Sequence, residues 1–312
     1  MKRVAVLILS MLLLLSGCNT QPQEQAQPDE TKLVYATFFP LYAITERVIR
    51  GVPDLHLRTL IQPQDGCIRD YQLSDLDIAK IAAADAIIMA GRSLESFEGA
   101  FFTDDIGLTA IAAYDGLTLI GQGTETDGEE GSHFDGENPW LFLSVEGAGL
   151  IMESIAGAMA SVDPDYEAQY AENLHQGLEE LEDLYADMQA ALTAVNPVSV
   201  GLMHEGLVYM AEDLGLHVAC HVDREPGTAV YDNDLMITRA DLKGTGAKVV
   251  LLEKQAPDQL KNAMKDAGYQ VALIDTLTTF PMGAAFDHYL EAMRGNARAI
   301  AGAFAETARQ AG

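Results

Sequence analysis

From residue 163 to 197 apolar side chains recur every three or four positions, through Tyr170, Leu174, Leu178, Leu181, Tyr185, Met188, Leu192 and Val195. That spacing lays one apolar stripe along a helix, with Glu179, Glu180, Glu182, Asp183 and Asp187 mostly on the wet side. Asp163 suits the N-cap and Pro164 the first helical position, and Pro197 stops the run. About thirty residues at 1.5 Å each predict a rod of roughly 45–50 Å, longer than one small domain is wide. It is either a long helix within one domain, half of a coiled coil, or a spine spanning two lobes. The flanking pattern favours the spine.

Before it, short apolar runs predict strands at 33–37, 55–61, 85–90, 110–113 and 118–121. Helical patterns fall between them at 41–49, from Ser74 to about 83, and at 144–161. After it, strands are expected at 198–203, 217–222, 249–253 and 270–274, with helices at 205–214, 238–243, 257–267 and 282–307. Alternation on both sides predicts an α/β protein of two doubly wound lobes joined by a long backbone helix, with the ligand cleft between the lobes. The boundaries read as 32–162 for the first lobe, 163–196 for the helix and 197–312 for the second lobe. Residues 121–138, rich in Gly, Thr and acids and carrying His133, read as an acidic surface loop.

The start of the chain bears on compartment. Lys2 and Arg3 precede an apolar run over residues 4–15, too short for a typical membrane span, that ends in Leu15-Ser16-Gly17-Cys18. This resembles a bacterial lipobox, which makes 1–18 a lipoprotein signal peptide and Cys18 the lipid-bearing residue; an ordinary secretory signal is the alternative. Residues 19–31, rich in Gln, Pro and acids, form a flexible tether. The formal charge of −28 argues against nucleic acid or an anionic membrane surface held by a basic patch, and is compatible with attracting cations. Cys67 and Cys220 could pair in an exported protein, but they lie on opposite sides of the long helix.

Ligands of such sheets bind beyond the carboxyl ends of the strands. Those ends carry Phe39 in Phe38-Phe39-Pro40, the loop 62–70, His204, Glu253 and Asp275. A histidine and an acid converging on a cleft are candidate metal ligands. Singly, each has a duller reading, as a hydrogen-bonded core histidine or a helix cap. No nucleophile–base pair or metalloenzyme motif is visible, so an enzyme is not expected.

The residues together resemble a known family. Ala36-Thr37-Phe38-Phe39-Pro40-Leu41-Tyr42, Asp70-Tyr71-Gln72-Leu73-Ser74, Leu94-Glu95-Ser96-Phe97, Asn138-Pro139-Trp140, His204 with Tyr209, Glu225-Pro226 and Val250-Leu251-Leu252-Glu253 occur in its order. The chain is similar to the cluster A-I solute-binding lipoproteins that deliver zinc or manganese to bacterial ABC importers. The resemblance implies an extracytoplasmic, membrane-anchored metal-binding protein, monomeric, working with an ABC permease, in which a long helix limits hinge motion. It further implies metal ligands at His204 and Asp275. Two other ligand positions of the family hold Arg69 and Trp140 here. Arginine cannot shed its proton and cannot ligate. Arg69 is expected to reach across the cleft to Asp275, with Trp140 covering one wall and Glu253 nearby. Cys67 offers a thiolate, which favours zinc or monovalent copper over manganese. Zinc is the leading cargo. The alternative is a member that has lost the usual site and binds another small or anionic ligand or a partner protein.

Overall fold

The computed structural model describes residues 31–62, 68, 71–92, 94–101, 108–121, 137–195, 199–222 and 232–311. Cys18, Cys67, Arg69 and His133 lie outside them.

The first lobe is a parallel sheet of β1 (Lys32–Ala36), β2 (Leu55–Thr59), β3 (Ala86–Met89) and β4 (Thr109–Ala112), in the order β2-β1-β3-β4. The second repeats that order with β5 (Val200–Leu202), β6 (Val218–His221), β7 (Val249–Glu253) and β8 (Gln270–Ile274), as β6-β5-β7-β8. β3 and β7 are buried along their whole length, which is why they read as unbroken apolar runs rather than alternating ones. In each sheet the winding reverses beside its first strand, so a crevice opens between β1 and β3 and another between β5 and β7.

The helices are α1 (Phe39–Val48), α2 (Asp75–Ala82), α3 (Val145–Val162), α4 (Glu167–Leu192), α5 (Leu207–Asp213), α6 (Asp232–Leu242), α7 (Asp258–Asp266) and α8 (Phe286–Ala311). α1 begins at Phe39, because Pro40 is accepted in a first turn that needs no N–H from it. Ser74 caps α2 through a reciprocal box with Asp77, each accepting from the other's backbone N–H. Residues 118–121, expected as a strand, pair only through one isolated bridge from Gly121 to Glu137.

α4 is the expected long helix, shorter, with its buried face close to the expected stripe. Its 26 residues span about 39 Å. Pro164–Tyr166 forms a separate 3-10 turn ahead of it, and Asp163 makes no side-chain cap. Asp163 is instead buried, accepting from the Tyr170 hydroxyl (3.3 Å) and paired with Lys32 (2.5 Å). The buried face runs through Tyr170, Asn173, Gly177, Leu181, Leu184, Met188 and Leu192, whereas Tyr185 is 44% exposed. Two of those positions are not apolar anchors. The Asn173 amide donates to the carbonyls of Val48 and Arg50, both at 2.8 Å, closing the open end of α1. Gly177 lets α3 approach: a Cβ there would stand 2.4 Å from Met152 Sδ.

One apolar cluster runs without a break from Val34, Leu41 and Ile88 in the first lobe through Leu181, Leu184 and Met188 of α4 to Leu251, Tyr289 and Ile300 in the second. Each sheet's other face has its own small cluster, around Ile87 and Leu60 in one and Val250 and Leu260 in the other. A core shared between lobes opposes wide opening, since separating them would expose it to water.

Candidate functional site

Between the lobes a narrow cleft is walled by Phe38, Phe39, Trp140 and Phe142 on one side and by Leu277 and Phe280 on the other. Its free volume is about 20 Å3, room for roughly one water molecule. Gln62, Thr276 and Thr278 supply polar groups, and none of the described lining residues is titratable. Phe39 closes one edge, its ring stacked on Phe280 with centroids 4.3 Å apart and planes 18° apart.

Trp140 precedes a short 3-10 turn, Leu141–Leu143, and is fully buried. Its indole N–H donates to Oε1 of Glu205 (2.9 Å), and its ring meets His204 edge to face at 4.5 Å. The neighbouring Asn138 donates to the Glu205 carbonyl (3.1 Å). The Tyr209 hydroxyl links the same loops, donating to the Asn138 carbonyl (2.6 Å) and accepting from the Ile120 N–H (2.9 Å). The loop after β5 is thus bolted to the first lobe.

His204 follows β5 and is buried. Burial, and then nearby His221, push its imidazole down to about 3, so the ring is neutral. The Gly206 N–H donates to Nδ1 (3.0 Å), which leaves the ring's proton on Nε2. A metal-ligating histidine has the opposite arrangement, with its second nitrogen donating to an acceptor so that a lone pair is free for the ion.

Asp275 follows β8 and is 8% exposed. Asn296 of α8 grips its peptide from both sides, accepting from its N–H (2.7 Å) and donating to its carbonyl (2.9 Å). Oδ1 accepts from the Leu277 N–H (2.9 Å), in a turn that holds Leu277 at φ 62°. A leucine in the left-handed region is strained, and such strain persists where the surroundings over-determine it. Oδ2 is paired with Lys254 Nζ at 2.9 Å. Glu253, the last residue of β7, is buried.

The structure therefore brings Trp140 against His204 and places Phe39 on the cleft wall. Asp275 engages Lys254 instead of joining a ligand cluster. Among the described residues no three His, Cys, Asp or Glu side chains converge as a metal site, and this set does not fit a divalent ion by itself. Cys220, also described, is a free thiol. Lys254, Glu205 and Asn296 were not singled out from the sequence. For Lys254 the cause is the pairing of β7 with β8, which sets Glu253 opposite Ile274 and Lys254 beside Asp275.

The family model described as zinc-uptake complex component A, periplasmic, matches residues 34–303. The zinc-binding lipoprotein AdcA of Streptococcus pneumoniae R6 is 23% identical over 311 residues, covering 96% of this chain and 60% of AdcA. This chain thus spans about 60% of the length of such curated relatives. Among solved structures, FpvC of Pseudomonas aeruginosa in complex with Ni2+ superposes with a TM-score of 0.74 at 20% identity, over 88% of this chain and 97% of that one. The laminin-binding protein Lmb of Streptococcus agalactiae, described as an adhesin with metal-transporting activity, gives 0.70 at 20% identity, over 88% and 99%. Both share the two-lobed architecture. With its two parallel sheets, its long helix and a match running nearly from β1 to the end of α8, the chain belongs to the family of zinc-uptake complex component A.

Proposed function

We propose that this chain is the extracytoplasmic substrate-binding component of a metal-ion ABC importer, a binding protein and not an enzyme. The observation that carries this reading is the family match over residues 34–303, together with a cleft between two lobes sharing one core. Zinc is the leading cargo, since the family and AdcA both carry zinc in their descriptions; manganese and copper are the competitors. Residues 1–18 serve as signal peptide, Cys18 carries lipid to the cell membrane, and 19–31 tether the lobes 32–162 and 197–312 with their helix 163–196. The protein acts as a monomer that hands its cargo to a permease and binds no nucleic acid. His204, Asp275 and Cys67 are the proposed ligands, with Arg69, Trp140, Glu253 and Phe39 around them.

Two observations favour a second reading, in which the usual metal site is lost and the cargo is another small or anionic ligand. Trp140 occupies the space over His204, and Lys254 already neutralises Asp275. One experiment separates them: elemental analysis of protein purified without chelator, followed by zinc, manganese and copper titrations. Stoichiometric metal and a saturable titration support the importer of metal. Protein that is metal-free and fails to titrate sinks that reading. Membrane fractionation of Cys18→Ala tests the anchor, which is wrong if the native chain already fractionates as soluble.

A further inference from the structure

We propose that Lys254 is a built-in counter-cation for Asp275, an ammonium tethered where the cargo ion would otherwise meet that carboxylate, and that it sets how weakly the chain holds a divalent metal. The inference rests on the reading of Asp275 as a cargo ligand.

The pair is fixed by the backbone, unlike a chance surface contact. Lys254 directly follows β7, and its N–H donates to the Ile274 carbonyl at 2.8 Å, extending the β7–β8 ladder by one step. That bond sets Lys254 beside Asp275, the next residue of the facing segment. The Lys254 carbonyl is itself held by Lys261 Nζ at 2.8 Å. On the other side Asn296 holds the Asp275 peptide and the Leu277 N–H holds Oδ1, leaving Oδ2 for the ammonium.

Exposure then decides which partner can leave. The Asp275 side chain is 12% exposed and cannot turn away to water, whereas Lys254 is 54% exposed and can. Holding a long, half-solvated lysine in one geometry gains little, because lost side-chain freedom and solvent screening offset the attraction. The ammonium is a stopper that a stronger cation can displace. A divalent ion must either eject it or sit beside it, and a like charge some 4–5 Å away weakens binding by about tenfold even where the dielectric is high.

The test uses the full chain in detergent, stripped of metal, titrated with zinc sulfate against a chromophoric chelator. Native protein, Lys254→Met and Lys254→Arg are compared after circular dichroism shows each folded. Lys254→Met should bind zinc about tenfold more tightly, and Lys254→Arg, which keeps the charge, should match the native chain. If Lys254→Met gains nothing, or if Lys254→Arg gains as much, the proposal is overturned. Tight zinc binding by the native chain with no gain in Lys254→Met overturns this proposal alone. Binding only in Lys254→Met upholds it while removing zinc as the native cargo. No binding by any of the three overturns both.

Discussion

Trp140 packs against Gly206 so closely that a Cβ on Gly206 would stand 2.6 Å from both Cβ and Cγ of Trp140. The two residues come from different lobes. With Glu205 accepting from the indole N–H and His204 at the ring edge, the loop after β5 forms a slot fitted to tryptophan.

Gly206→Ala should therefore unseat Trp140 and destabilise the chain by about 1–3 kcal/mol, the usual range for overpacking. Trp140→Phe should cost a similar amount by a different route, through the smaller ring and the loss of the indole hydrogen bond to Glu205. Urea unfolding measures both. Unchanged midpoints would mean the slot is softer than the packing indicates.

Gly177 makes a matching case on α4. Alanine there raises helix propensity by up to about 1 kcal/mol, but its Cβ would meet Met152 Sδ at 2.4 Å and Arg47 Cγ at 3.2 Å. The clash should win, for a net loss of about 1–2 kcal/mol. Pairing it with Met152→Ala should give a double variant more stable than the sum of the two single losses. Strict additivity would show that α3 and α4 are not in register as described.

Glu95 sits in the crevice between β1 and β3, fully buried, where burial raises its carboxyl to about 7. The Thr37 hydroxyl (2.7 Å) and the N–H groups of Ala90 (2.8 Å) and Gly91 (3.0 Å) donate to it and pull the other way. The folded value lies above the ordinary 4.5, so the group's contribution is fully present below that pH. It is lost as pH rises through about 7, to a total on the order of 3 kcal/mol. Urea midpoints measured from pH 5 to 8 should fall with pH more steeply in the native chain than in Glu95→Gln. Parallel slopes would remove Glu95 as the cause.

Much of this was legible in order of residues alone. Unbroken apolar runs such as Val249 to Leu252 marked buried parallel strands, because a strand covered on both faces needs no polar alternation. Ser74 and Ser144 marked the starts of α2 and α3, since a cap is a local bond between a side chain and an N–H three residues on. The family order of motifs followed from the same string. What the sequence could not show was which residues on α4 face inward for reasons other than hydrophobicity. Asn173 and Gly177 are buried because of α1 and α3, elements distant in the chain, so the apolar stripe found Tyr170, Leu181, Met188 and Leu192 but passed over these two and Leu184, and took in the exposed Tyr185. The site was decided the same way. Asp275 could be named from its place after a strand, but its partner depended on β7 lying beside β8 in register. His204 could be named too, yet its usable nitrogen depended on the Gly206 N–H folding back onto Nδ1. Residue type is written along the chain, whereas the partner of a charge and the proton of an imidazole are set by whichever groups packing brings within about 3 Å.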